Sequence, residues 1–217
     1  FKQPYDPKQF TLQQTATNIL GLEYKEIIPD INYQIEGKPI KGKYVCISPH
    51  ASASAKYWHH STGWQDAIDY LNNKGYKVVQ ISKEKHNDDW ENNKLPQGKP
   101  FKNIIDKTGN LPIEDIINIL YHSEMYIGVS SGLAWLSWSI KNPVVLISGF
   151  SSDWTEFTLN IERIINKNVC NSCFNNFKLD AGDWEWCPVH KNTSRQFECT
   201  KKILPKTVIE GITRRLS

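Results

Sequence analysis

Short apolar runs alternate with amphipathic stripes from residue 43 to residue 165, and this alternation constrains the fold more than any other feature of the chain. Lys43–Ser48, Tyr76–Ser82, Met125–Val129 and Pro143–Ile147 read as buried strands. Between the first two, Trp64, Ala67, Ile68 and Leu71 recur at helical spacing behind Thr62 as N-cap, and Gly75 stands where such a helix stops. Ile113, Ile116, Ile117 and Leu120 repeat the stripe after Pro112, a favoured first helical position. A further helix opens at Leu133 and runs to Ile140, while Phe101–Ile105 and Ile161–Ile165 are expected as short strands. Strands and helices in alternation predict an α/β class: a Rossmann-like parallel sheet with helices on both faces and right-handed crossovers.

Outside this region the pattern changes. Residues 1–42 are punctuated by Pro4, Pro7, Pro29 and Pro39, and read as a linker or interdomain segment with a short helical stretch over Leu12–Ile19. Gly21–Tyr24 and Ile27-Ile28-Pro29 read as packing or edge-strand pieces. Residues 83–100, charged and Asn-rich, are expected as an exposed loop, and Leu204–Leu216 as a C-terminal helix that is basic at its end. The expected division is therefore 1–42 linker, 43–165 Rossmann-like domain, 166–200 cysteine-rich finger and 201–217 C-terminal helix.

A chain of 217 residues with 39% hydrophobic content is long enough for one α/β domain and a small appendage. With 26 basic and 23 acidic side chains the balance argues against nucleic acid or a membrane surface as partner. No apolar run approaches the roughly 20 residues that span a bilayer. The first residues are polar and mixed, unlike a secretory leader, and a chain opening on Phe1 is expected to be part of a longer protein. Eight tryptophans could fill a core, stack on sugars or sit in an oligomer interface.

Two loops carry chemistry suited to a phosphate. Met125–Val129 runs into Ser130-Ser131-Gly132 and then a helix start, where free N–H groups and the helix dipole favour an anion. The hydroxyls of Ser130 and Ser131 can donate hydrogen bonds, and Gly132 permits close backbone approach. The strand ending at Ser48 leads into a loop of small residues, 49–56, that carries Ser52 and one cation, Lys56. Both loops follow strands, and ligands of parallel sheets sit at the carboxyl ends of the strands. A nucleotide or nucleotide-sugar site is expected there.

The cysteines form a second constellation. Cys46 lies inside an apolar strand and reads as a buried hydrophobe. Cys170-x2-Cys173 is followed after 13 residues by Cys187 and after 11 more by Cys199. Four thiolates select zinc or iron, and a closed four-sulfur site is structural rather than catalytic. Two disulfides or four free thiols are the alternatives. His190 reads as a solvated histidine or a substitute ligand. Trp184 and Trp186 read as packing over the metal site, with sugar stacking as the alternative.

Gly128–Trp135, Pro143–Phe150, Cys170-Asn-Ser-Cys173, Trp186-Cys-Pro188 and Gln196–Cys199 together resemble the bacterial autotransporter heptosyltransferases. The resemblance runs from about Thr15 to Thr200, and residues 43–148 are more distantly similar to the lipopolysaccharide heptosyltransferases. It implies the C-terminal, donor-binding half of a GT-B glycosyltransferase with ADP-heptose as donor and serine hydroxyls of an autotransporter adhesin as acceptor. Transfer would be inverting and cytoplasmic. The general base would come from an N-terminal half, and none is found in this chain. Lys56 and Trp58 match the family's Lys-x-Trp phosphate loop, with Ser52 at a hydroxyl position and Leu111 where backbone lies against adenine. The lipopolysaccharide enzymes carry Gly-x-Asp-Thr-Gly-x-x-His, where this chain has Ser130, Ser131 and Trp135 in the Asp, Thr and His places. For the metal the resemblance implies ferric iron, where spacing alone suggests zinc, and it implies a large ring-shaped homo-oligomer. A donor carrying glucose or N-acetylglucosamine, and a metal-stapled binding module without chemistry, are the alternative readings.

Overall fold

The computed structural model describes residues 6, 8–83, 100–174, 176–180 and 182–216. The expected loop over 83–100 lies, apart from its two ends, outside the described residues. Strands β1 (Tyr44–Ser48), β2 (Lys77–Ser82), β3 (Ile105–Thr108), β4 (Tyr126–Val129), β5 (Val144–Ile147) and β6 (Ile161–Ile164) form one parallel sheet in the order β3-β2-β1-β4-β5-β6. The helices are α1 (Leu12–Ile19), α2 (Gly63–Asn73), α3 (Ile113–Tyr121), α4 (Gly132–Ser139), α5 (Glu198–Lys201) and α6 (Pro205–Leu216).

Alternation along the strands explains why both faces are covered. Val45, Ile47, Ile127, Val129, Val145 and Ile147 turn to one face, where α2 and α6 bring Trp64, Ile68, Leu71, Val208 and Ile212. Tyr44, Cys46, Tyr126, Val144 and Leu146 turn to the other, against Leu120 of α3 and Ala134 and Trp138 of α4. A strand buried on both faces reads as a continuous apolar run, as these do. Each fully buried aliphatic side chain contributes roughly 1.5–3 kcal/mol relative to exposure.

Three details differ from the sequence reading. The strand expected over Phe101–Ile105 begins only at Ile105. Phe101 is instead drawn under α2, its ring 6.3 Å from that of Trp64, so the residues before Ile105 leave the sheet edge. Gly21–Tyr24 and Ile27–Pro29 form no strand. The packing alternative holds for Ile28, which with Ile31 and Tyr33 lies against the core. Polar contacts add to this: Leu12 N–H donates to Thr155 O at 2.8 Å, and the Glu26 carboxylate accepts from Thr158 and Leu159 N–H at 2.5 and 3.0 Å. Thr62 does occupy the N-cap of α2, but its hydroxyl donates to Asp66 Oδ2 at 2.7 Å rather than capping the backbone.

A third, smaller cluster joins Ala55, from the 3-10 turn Ser54–Lys56, to Phe150, Trp186 and Phe197, with Cys173 and Cys187 packed against it. His59 stacks on Phe197, ring centroids 4.2 Å apart and planes 12° apart, with Nε2 2.7 Å from Ser54 O. Burial holds the His59 imidazole down at about 4, so it is neutral in the folded protein near neutral pH.

Two predictions follow from this packing. A Cβ at Gly63 would lie 2.4 Å from the fully buried Trp58 ring. Gly63→Ala should therefore cost about 1–3 kcal/mol, read as a lower urea midpoint at unchanged slope. Unfolded His59 binds a proton between pH values of about 6.5 and 4 that the folded state refuses. Its contribution to stability is thus present above that window and lost as pH falls through it. Between about pH 7 and about pH 5 the unsubstituted chain should lose about 2 kcal/mol more than His59→Gln does. Equal losses in urea titrations would rule His59 out.

Candidate functional site

Strand order places the two expected anion loops side by side. β1 and β4 are neighbours, with Ser48 opposite Gly128, although nearly eighty residues separate them in the chain. A cavity of about 790 Å³ opens at the carboxyl ends of these strands. Ser52 lines it from the β1 loop, Ser131 and Gly132 from the β4 turn, and Leu111 from the turn before α3. Lys56 and Ser130 do not line it. Lys56 stands one group back, its ammonium donating to Ser52 Oγ at 3.2 Å and lying 5.8 Å from the Phe150 ring centre. Burial pulls the Lys56 ammonium below its usual range, and the nearby Glu156 carboxylate opposes that shift.

Ser131 is the N-cap of α4 by position only. Its backbone is extended, and its side chain makes no capping bond to the helix; the Tyr126 hydroxyl lies 3.3 Å away instead. The hydroxyl of Ser131 therefore does not satisfy the first-turn N–H groups of α4, which a bound anion could occupy. A Cβ at Gly132 would meet nothing within 4 Å, so the fold itself does not demand glycine there. The open space over the turn suits close approach by a ligand. Leu111 N–H is spent on Gly109 O at 2.9 Å, closing a tight turn in which Gly109 adopts a positive φ of 110°.

Sequence reasoning missed several residues of this region. His50 and Ser48 line the cavity while almost fully buried, and Asn110 completes part of its wall beside Trp135, the residue in the motif's His place. Glu156 and Arg163 form a buried ion pair at 2.7 Å beside the β4 turn. The available signal was Glu162-Arg163 inside a strand flanked by isoleucines: a charged residue that turns inward from a strand needs a partner.

The cysteine region docks on the same end of the sheet. Ser172 N–H donates to Gly149 O at 2.8 Å and Phe174 N–H to Phe150 O at 3.0 Å, while Ser54 N–H donates to Trp184 O at 3.0 Å. Trp186 is buried in the third cluster, whereas Trp184 is 42% exposed and meets Tyr57 edge-on. All five cysteines are free thiols. Burial pushes Cys173 and Cys199 up to about 12, and each is raised further by its cysteine neighbours. Cys199 is raised most by Cys173 among its cysteine neighbours, then by Cys187 and Cys170. Among the described residues, the set of three or more ligand atoms lying within 4.8 Å of one another is that of Cys170, His190 and Glu198. His190 is accordingly not a solvated side chain: it is 14% exposed, with Nε2 3.7 Å from Glu198 Oε1. Glu198 also accepts from Cys170 N–H at 3.2 Å, and Arg195 holds its carboxyl down to about 2.

This donor set fits a thiophilic ion. Buried thiols that raise one another's proton affinity are unfavourable as thiolates, and a bound cation reverses that balance. Soft sulfur donors with imidazole nearby suit iron or zinc rather than a hard oxygen-seeking cation. No helix among the described residues is long and apolar enough to cross a membrane.

Comparison with known proteins agrees with this geometry. The glycosyltransferase family 9 (heptosyltransferase) model matches residues 7–179. Autotransporter heptosyltransferase Aah of Escherichia coli is 40% identical over 99% of this chain and 54% of its own length. An inactive autotransporter heptosyltransferase, BimC of Burkholderia thailandensis, is 31% identical over 93% of this chain and 47% of its own length. The crystal structure of TibC from enterotoxigenic Escherichia coli, a dodecameric iron-containing heptosyltransferase in complex with ADP-D-beta-D-heptose, superposes with a TM-score of 0.88 at 36% identity, covering 98% of this chain and 55% of that one. The chain thus spans about half the length of the curated relatives it matches. With its parallel sheet, its cavity at the switch between β1 and β4 and these similarities, the chain belongs to glycosyltransferase family 9, the heptosyltransferases.

Proposed function

We propose that this chain is the donor-binding half of an enzyme that transfers heptose from ADP-heptose to serine hydroxyls of an autotransporter adhesin. The observation that carries the reading is the single cavity shared by the Ser52 loop and the Ser131–Gly132 turn. Residues 43–165 would form the nucleotide-sugar domain and 166–200 the metal finger, acting in the cytoplasm within a large homo-oligomer. The dodecameric, iron-containing relative with ADP-heptose bound supports donor, metal and assembly together.

In inverting transfer a base removes the acceptor proton while the diphosphate leaves from the opposite face. Negative charge then develops on the leaving group. Lys56, the hydroxyls of Ser52 and Ser131 and the N–H groups around Gly132 would stabilise it, and preorganised donors of this kind lower the barrier most where charge appears. With its N–H engaged, Leu111 has its carbonyl to offer the base of the nucleotide. The acceptor base is assigned to a segment outside this chain. Ferric iron held by Cys170, Cys173, Cys187 and Cys199, with His190 and Glu198 at hand, would brace the finger and take no part in transfer.

Nucleotide binding, a transfer assay and metal analysis test the reading. ADP should raise the thermal midpoint of the chain more than GDP or UDP does, and Lys56→Met should weaken ADP binding by about ten- to a hundredfold. An ADP effect equal to that of the other nucleotides would point to another donor, and no nucleotide effect to a binding module. Transfer by this chain alone would place the base within it. Metal analysis of purified protein should find iron, and Cys170→Ser should lower both iron content and thermal midpoint; zinc at full occupancy would reverse the metal assignment.

A further inference from the structure

A buried carboxylate ties together the strand ends that carry the proposed donor site. Glu156 is 2% exposed. Its Oε1 accepts from Ser130 Oγ at 2.5 Å and from Ser151 Oγ at 2.7 Å, and its Oε2 accepts from Arg163 Nη1 at 2.7 Å. Arg163, on β6, also donates to Ser148 Oγ at 3.4 Å and Phe157 O at 3.3 Å. Ser130 directly follows β4, Ser148 and Ser151 follow β5, and Arg163 belongs to β6.

Stability does not explain this arrangement. Apolar side chains of similar volume often hold a core as well as a buried ion pair does, because desolvation offsets the attraction. The pair instead sits where one of its partners, Ser130, is joined by a peptide bond to Ser131, which lines the cavity. A carboxylate with both oxygens engaged and almost no exposure is held in one place. The hydroxyl proton of Ser130 points to it, so Ser130 is fixed from behind the turn rather than from the cavity.

We infer that Glu156, oriented by Arg163, is a positioning residue: through Ser130 it sets the Ser131–Gly132 turn in the conformation that receives the donor's diphosphate, without touching the donor. The inference rests on the donor site proposed above. It reassigns Ser130 from a ligand contact to a link in the scaffold. It also gives the ion pair a reason to lie beside a site for a dianion: Arg163 balances the carboxylate that would otherwise repel it.

A double-mutant cycle in the 217-residue chain tests this. Calorimetry would measure ADP and adenosine binding to the unsubstituted chain, Ser130→Ala, Glu156→Gln and the double variant, each well below its thermal midpoint. Each single change should weaken ADP by about five- to tenfold, the worth of one ordinary hydrogen bond, and leave adenosine within about twofold. The double variant should bind ADP no more weakly than Glu156→Gln, because both changes break one connection. Additive losses would place Ser130 on the donor and overturn the inference. So would equal losses for ADP and adenosine, which mark a general structural defect, or unchanged ADP affinity. Glu156→Asp runs the same cycle alongside, because a glutamine oxygen can still accept from Ser130 whereas aspartate keeps the charge and withdraws the acceptor. This arm decides where the two differ or where Glu156→Gln does not fold. Failure of the unsubstituted chain to bind ADP would instead overturn the donor-site reading, and the inference with it.

Discussion

The pairing of β1 with β4 is the contact on which the rest depends. Cys46, Ile47 and Ser48 lie beside Tyr126, Ile127 and Gly128, joining segments that the chain order separates. To one side the sheet grows backwards through β2 and β3, and to the other forwards through β5 and β6. The loops leaving β1 and β4 therefore diverge to opposite faces, and a crevice opens between them. Tyr126 shows how closely this junction is packed. Its ring lies where a Cβ at position 128 would come within 2.3 Å of the hydroxyl, and that hydroxyl reaches Ser131 at 3.3 Å. Glycine at 128 thus serves a neighbouring side chain, whereas glycine at 132 faces open space.

The charges around the crevice are arranged in layers. Ser52, Ser131 and the helix start form the surface, neutral but rich in donors. Lys56 lies behind Ser52, partly desolvated and so costly to keep protonated; Glu156 favours its charged form. Glu156 is in turn matched by Arg163. A cation held back from the surface and reaching it through a hydroxyl is less screened by water than an exposed lysine would be, so its interaction with an incoming anion is stronger. The same burial makes any unmatched charge expensive, which is why the pair behind it matters.

Much of this was legible in the residues. Continuous apolar runs placed β1, β2, β4 and β5, and period-3.6 stripes placed α2 and α3, within a residue or two; α4 followed from the strand-to-helix turn before it. Small residues after strands marked the two loops that share the cavity. Phe101 misled because an aromatic residue before a short strand resembles the strand, whereas its ring belongs to the aromatic cluster under α2. Ser130 is a different case. Its place beside Ser131 suggested a ligand contact, but the two hydroxyls face different partners, Glu156 and Tyr126. That partition arises from loops 26 residues apart meeting in space, which no local pattern records. For His190 the residues left two readings open, a solvated side chain or a substitute ligand, since its nearness to Glu198 and Cys170 comes from the fold of a segment with little regular structure.

The finger does more than occupy the edge of the sheet. Its backbone bonds to Gly149 and Phe150 fasten it to the loop after β5, and Trp184 O takes the N–H of Ser54 in the turn that carries Lys56. Gly149 permits this approach: a Cβ there would stand 2.7 Å from Thr200 Cγ2 and 3.0 Å from the Cys199 backbone. Phe150 contacts both sides, meeting Trp186 and Phe174 of the finger while Lys56 lies over its ring. A segment poor in helix and strand cannot order itself against its conformational entropy, roughly 1–2 kcal/mol per residue for the backbone alone. An ion held by these sulfurs, as proposed above, would stiffen the wall on which Lys56 rests and would link metal binding to donor binding through that shared wall. Any such linkage is reciprocal: each ligand would change the affinity for the other by the same factor.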